Sequence, residues 1–344
     1  MGKKFFIFRE GTWALRSILI ISSLLAGTAI GYYGKAPLKK VISFNPFDDT
    51  IVEKWPTPPY ELIEIPSSAD NTLQKAFVYR STSDKPEPLV VSLHSWSAGY
   101  AQKDFFREQV LEKNWNYIHP DFRGPNNQPQ ACASDLVISD IDDAIDYALK
   151  NFNVDKERIY VIGGSGGAYA GAASIMKSKH TIRQYSIWNP ITDIHAWYYQ
   201  SKIRNLKYEG DIMLCTDSKN GQLDEEEAKK RSPLYWQTPV EKFSATSVKI
   251  YAGIYDGVLG AVPFTHAINF YNKLVSDLNC PDSSKLVSEM EKAMLMEKGP
   301  MLPQAKMLGD RKVVLHKSYQ NVELILFEGR HELLANIVLE TLDN

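Results

Sequence analysis

The stretch Arg158-Ile-Tyr-Val-Ile-Gly-Gly-Ser-Gly-Gly-Ala-Tyr-Ala170 constrains the fold more than any other part of the chain. An apolar run enters a glycine cluster with one serine at its corner, and a small-residue segment leaves it. Uninterrupted apolar runs suit a parallel strand buried on both faces, and Ala168 to Met176 reads as a tightly packed helix. Gly163-x-Ser165-x-Gly167 has the spacing of a nucleophile elbow, a strand-to-helix turn that holds its serine in strained backbone geometry above the sheet edge. Glycines flank the serine because side chains there would collide with the neighbouring strand and helix. A glycine-rich turn that only packs would use the same residues, so the serine needs partners before it implies chemistry.

The rest of the chain alternates strands and helices around that turn. Tyr60–Pro66 and Leu73–Arg80 read as a hairpin, and Leu89–His94 as a buried strand. A helix over Lys103–Asn114, a strand over Asn116–Phe122 and an amphipathic helix over Leu136–Phe152 follow, the last with Ile138, Ile141, Ala144, Ile145 and Ala148 on one face. Beyond the elbow come strand Gln184–Trp188, a polar, less regular stretch at about 192–239, and strand Val248–Tyr255. Helix Phe264–Leu278, a Lys/Glu/Met-rich helical insertion at about 282–299, strand Val322–Phe327 and helix Glu332–Leu342 complete the order. Repeated strand–helix units after an antiparallel pair predict an α/β fold, a mostly parallel, doubly wound sheet with helices on both faces. The 192–239 stretch is expected to form a small lid over the sheet's carboxyl edge.

A serine hydroxyl is a poor nucleophile until a base takes its proton, and the base needs a carboxylate to orient it. In this topology the acid and then the histidine follow the serine, each just beyond a strand. Of seven histidines, His94 and His119 precede the serine, and His180, His195, His266 and His316 fall in helical or irregular contexts. Only His331 directly follows the last strand, and Asp256 ends the strand before it. A helix-capping Asp256 and a surface His331 are the bland alternatives for each residue taken alone. The oxyanion needs two backbone N–H donors. Gly166, at the N-terminus of the elbow helix, is one candidate, and Trp96 is the other, with Ser95 as its alternative. His94 reads as a buried structural imidazole.

Composition bounds the setting. The 344 residues, 44% hydrophobic and 23% charged, are ordinary for a globular protein. The first 34 residues carry a formal +3 (Lys3, Lys4, Arg9 and Arg16 against Glu10), which leaves −5 for the remainder of a chain whose net charge is −2. That acidic body, without a basic-aromatic stripe, argues against a nucleic-acid partner. Ser17–Tyr33 is uncharged and mostly apolar, and follows the basic segment. Residues 1–34 are expected to form a signal-anchor membrane helix that leaves the catalytic domain on the outer side, with secretion after cleavage as the alternative. Thr28 stands where a lipoprotein box would need cysteine. A Pro-rich linker (35–59) would lead to the domain at 60–344. Three scattered cysteines suggest neither a zinc site nor a disulfide scaffold, and no metal or cofactor motif appears. In an oxidising compartment Cys132 and Cys215 could pair, although their spacing does not show it.

Gly163-Gly-Ser-Gly-Gly167, Gly253-Ile-Tyr-Asp-Gly257 with Val262-Pro263 and His266, and Gly329-Arg-His-Glu332 together resemble the catalytic domain of prolyl-oligopeptidase-type (S9) α/β-hydrolases. Asp121-Phe-Arg-Gly124 is similar to the Arg-Gly turn after the fourth strand in that group. Arg123–Asp135 is similar to a bacterial branch of serine peptidases or esterases. The resemblance spans roughly residues 60–343 and implies a triad of Ser165, Asp256 and His331. Three departures stand out. The chain leaves no room for the family's β-propeller, Gly166 replaces the usual aromatic residue, and five residues separate Asp256 from Val262-Pro263.

These readings converge on a serine hydrolase that forms an acyl-enzyme on a small ester or short peptide. Esters are favoured because an alkoxide leaves more readily than an amine and no paired-Glu segment would hold a free peptide N-terminus. Trp188, Trp197 and Tyr198, with Trp236, could wall an acyl pocket or belong to the core. Peptidase activity on short peptides is the alternative reading. An inactive membrane-tethered binding module is the alternative of another class.

Overall fold

A computed structural model describes residues 58–297 and 306–342, all within the unit Asp49–Asn344. The expected anchor (1–34), the linker up to residue 57 and the end of the 282–299 insertion lie outside the described residues. Among the described residues no helix is long and apolar enough to cross a membrane.

The expected hairpin is present: β1 (Glu61–Pro66) pairs antiparallel with β2 (Leu73–Tyr79). Next come β3 (Glu87–Leu93), helix α1 (Arg107–Lys113), β4 (Asn116–Pro120), α2 (Asp135–Asn151), β5 (Val154–Gly164), α3 (Gly166–Lys177) and β6 (Gln184–Trp188). After the 192–239 region come β7 (Ser247–Gly253), a helix at Thr265–Asp277, and strands β8 (Lys306–Leu308), β9 (Arg311–Tyr319) and β10 (Val322–Phe327). The ten strands form one sheet in the order β1-β2-β4-β3-β5-β6-β7-β10-β9-β8. The six strands from β4 to β10 in that order are mutually parallel, and both flanks are antiparallel.

Both faces of the sheet are covered, which is why the second half of β5 is apolar at every position. Ile159 and Val161 join the core beneath α2, α3 and the Thr265–Asp277 helix. Tyr160 and Ile162 point the other way, against α1 and the C-terminal segment. Each such side chain contributes about 1.5–3 kcal/mol on full burial. Strand order reverses at β3, whose chain runs out to β4 while β5 lies on its other side. The crevice at that switch point is where ligands bind in open α/β sheets, and the elbow opens there.

Four sequence expectations need revision. The 192–239 stretch is more regular than its polar composition suggests: it holds α4 (Ile194–Ile203), α5 (Tyr208–Cys215), α6 (Glu225–Lys230) and a 3-10 turn at Pro233–Tyr235. The Thr265–Asp277 helix is therefore α7, and Glu289–Met296 in the insertion is α8. Strands β8 and β9 were not foreseen, and they put His316 on a strand, where its Nε2 meets Glu323 Oε2 at 3.0 Å. No helix forms over Glu332–Leu342, where only a 3-10 turn at Val338–Thr341 appears. Its apolar positions Leu334, Val338, Leu339 and Leu342 are buried as expected for a helix face. The backbone carbonyls a helix would use are taken by distant side chains instead: Asn189 Nδ2 donates to Glu332 at 2.7 Å and Gln109 Nε2 to Ala335 at 2.5 Å.

Candidate active site

Ser165 sits at the corner between β5 and α3 with φ 55° and ψ −118°. A non-glycine residue held there costs on the order of 1–3 kcal/mol, which the surrounding structure must offset. Its amide donates to Trp188 O (2.8 Å) and its carbonyl accepts from Tyr169 N (2.9 Å), so backbone bonds lock the corner. The glycines are explained by contact. A Cβ on Gly163 would collide with the Gly167 backbone, and one on Gly167 with the carbonyl of Leu93 at the end of β3. A Cβ on Gly166 would strike the backbone nitrogen and Cα of Trp96. That approach accounts for the glycine at position 166.

The loop after β3 is thus pressed against the elbow. Ser95 N–H donates to Gln102 Oε1 at 2.6 Å, which commits it to the loop itself. The Trp96 and Gly166 N–H groups donate to no protein acceptor among the described residues. His94 lies underneath as expected, stacked on Phe122 at 3.8 Å, with its ring nitrogens facing the carbonyls of Ser95 and Asp121.

Asp256 and His331 are brought together from the ends of β7 and β10, which pair in parallel register. His331 Nδ1 lies 2.6 Å from Asp256 Oδ2. The other carboxylate oxygen accepts from the amides of Gly257 (2.9 Å) and Val262 (3.0 Å). Asp256 is 1% exposed. Deprived of water, its carboxylate is held by these three donors. Gly260 packs on the pair: a Cβ there would collide with Asp256 Oδ1 and stand 2.7 Å from His331 Cβ. The five-residue spacing before Val262-Pro263 is used to curl the loop back onto its own carboxylate.

Sequence reasoning missed Asn189. It follows β6 with φ 49°, accepts from Gly253 N (3.0 Å) and donates to Glu332 O (2.7 Å), tying the acid strand to the histidine loop. The only local signal is an Asn-Pro step after a strand. Of the proposed pocket residues, Trp188 is fully buried beneath the sheet rather than at a pocket wall, stacked on Tyr251 at 4.0 Å with its N–H on Ser186. Trp197 and Tyr198 are buried on helix α4, where Trp197 packs edge-on to Trp96 at 4.8 Å and on Tyr208 at 4.7 Å. Trp236 is partly buried and donates to Lys230 O at 2.7 Å. Cys132 and Cys215 form a disulfide that joins the loop before α2 to the end of α5.

Comparison with known proteins agrees with this architecture. No curated protein matches the chain. Among solved structures, the puromycin-hydrolysing peptidase of Mycobacterium tuberculosis superposes with a TM-score of 0.55 at 16% identity over 82% of this chain and 38% of that one. Prolyl oligopeptidase B from Galerina marginata (TM-score 0.51, 14% identity) covers 69% and 35%, and Pyrococcus horikoshii acylaminoacyl peptidase (0.50, 15%) covers 64% and 35%. The chain thus spans a little over a third of the length of each of these proteins. The sequence profile of the prolyl oligopeptidase family matches residues 103–292, more than half the chain, including Ser165 and Asp256 but neither Trp96 nor His331. With this match over an α/β-hydrolase sheet, the chain belongs to the prolyl oligopeptidase family of serine hydrolases.

Proposed function

We propose that the protein hydrolyses a small acyl substrate through an acyl-enzyme on Ser165. The observation that carries this reading is the 2.6 Å pairing of His331 Nδ1 with Asp256 Oδ2, on the same sheet edge as the strained serine. With Nδ1–H directed at the carboxylate, Nε2 keeps its lone pair, and this is the tautomer that can accept a hydroxyl proton. Ser165 Oγ attacks the carbonyl as His331 takes its proton. His331 returns that proton to the leaving group, and then activates the water that releases the acid. The amides of Gly166 and Trp96 stabilise the oxyanion, Ser95 being occupied by Gln102.

Esters are the favoured substrates, because alkoxide departure demands less of the general acid than amine departure. Short peptides or amides are the second reading, supported by the family and by the peptidases that share this fold. A binding module is disfavoured by the paired acid and histidine. The apolar segment within residues 1–34 supports tethering at a membrane with this domain outside.

A fluorophosphonate probe tests the reaction. Folded wild-type protein should label stoichiometrically and the Ser165→Ala variant not at all; equal labelling of both would overturn the assignment. p-Nitrophenyl acyl esters set beside Xaa-Pro and other amides then test the bond. Faster turnover of amides would reverse the ester preference.

A further inference from the structure

The lid helix α4 ends on Arg204, which reaches the loop carrying Asp256. Its Nη1 donates to the carbonyls of Gly257 (2.8 Å) and Gly260 (3.0 Å), and its Nη2 to that of Ala261 (2.6 Å). Nε donates back to Gln200 O in α4 at 3.0 Å, fixing the guanidinium to its own helix. Trp197 of the same helix adds its indole N–H to Ala261 O at 3.0 Å.

The loop is therefore polarised. Three carbonyls face the guanidinium, while the amides of Gly257 and Val262 face the carboxylate of Asp256. At its crest Val258 and Leu259 are 76% and 59% exposed, and their amides bond only within the loop, to Tyr255 O at 3.2 and 2.9 Å, so the bonds that tie the loop to α4 come from Arg204 and Trp197. Only arginine offers a rigid planar fork spread widely enough to meet these three carbonyls while bonding its own helix; a lysine ammonium has three donors, but all on one compact nitrogen. Losing the fork would strip those carbonyls of its donors and free the loop to turn its amides away from Asp256.

We propose that Arg204 is a positioning residue, through which the lid sets the orientation of Asp256 and hence of His331. The inference rests on the triad assigned above. It makes the lid part of the catalytic framework rather than a cover alone, because α4 cannot lift without releasing the acid loop.

Wild type, Arg204→Lys and Arg204→Met are compared in three measurements. Against the best ester substrate, Arg204→Met should lose roughly 10- to 100-fold in kcat with KM changed less than about threefold, the signature of a displaced catalytic group rather than a lost substrate contact. Arg204→Lys should recover part of that loss. By proton NMR wild type should show a deshielded Nδ1–H of His331 that broadens or moves upfield in Arg204→Met, and a wild type without it would count against the pairing. Fluorophosphonate labelling of Ser165 should slow in parallel. A folded Arg204→Met with wild-type kcat and an unmoved imidazole resonance would overturn the proposal. If that variant fails to fold, the same kcat and imidazole comparison is made on Arg204→Lys, and wild-type values there overturn the proposal equally. A wild-type protein that does not label at Ser165 would instead refute the catalytic reading, whereas labelling at equal rates in wild type and variant would refute only the role of Arg204.

Discussion

The serine side of the site and the acid–histidine side are held in different ways. Around Ser165 the contacts are backbone against backbone: Gly163 on Gly167, Gly167 on Leu93, Gly166 on Trp96. Around Asp256 and His331 one such contact recurs, Gly253 on the Gly329–Arg330 backbone, but side chains set against backbone do most of the holding: Asp256 on two amides, Asn189 on Gly253 and Glu332, Arg204 on three carbonyls. Backbone contact demands glycine at set positions, which is rigid and leaves a motif. Side-chain contact can be supplied from many places in the chain. It is adjustable, and it ties the loop of Asp256 to helix α4.

Substitutions at glycine on the two sides test that contrast, and the serine side should suffer more. Gly166→Ala would drive its methyl into the Trp96 backbone and displace the proposed oxyanion donor. Loss of one such donor costs about 10²–10³ in kcat, so a fall of that size is expected, measured as turnover of the best ester. Unchanged turnover would mean that Trp96 is not the donor. Gly260→Ala meets Asp256 and the His331 Cβ, but its loop has an exposed crest and can shift. A smaller loss is expected, on the order of tenfold, and a loss equal to that of Gly166→Ala would erase the distinction.

The smallest effect concerns the buried polar cluster beside β3, outside both sets of contacts. Asp104 is buried and accepts from the Ser92 hydroxyl and, at 2.8 Å, from Tyr117. Burial pushes its carboxyl up to about 6. The folded protein therefore keeps a proton that the unfolded chain loses near pH 4, and stability from this group falls as pH rises from about 4 to 6. His119 opposes it: burial lowers its imidazole to about 3, so its contribution is lost as pH falls from about 6.5 toward 3. Asp104→Asn isolates the carboxylate. The Tm of the variant minus that of wild type should rise between pH 4 and 6 and stay level above, equivalent to roughly 2–3 kcal/mol. A constant difference across that range would show that Asp104 does not titrate there.

Much of the site was legible in the sequence. The elbow glycines are residue types that only close backbone approach requires, and Asp256 and His331 follow their strands in the order the topology demands. Legibility ended where local pattern and tertiary bonding disagree. The apolar spacing of Leu334, Val338, Leu339 and Leu342 suits a helix face, but Asn189 and Gln109 occupy the carbonyls a helix would need. At 192–239, polar composition hid three helices whose apolar faces close over Trp96 and the Cys132–Cys215 bridge.

Sequence alone thus determined the alternating sheet, the strained serine and the placing of Asp256 and His331 just beyond strands, because each depends on short-range backbone geometry that permits few residue types. The pairing of Cys132 with Cys215, the bridging by Asn189 and the grip of Arg204 on the acid loop were decided only in three dimensions. Each is a bond between groups tens of residues apart, and such bonds leave no periodicity or spacing in the chain to read.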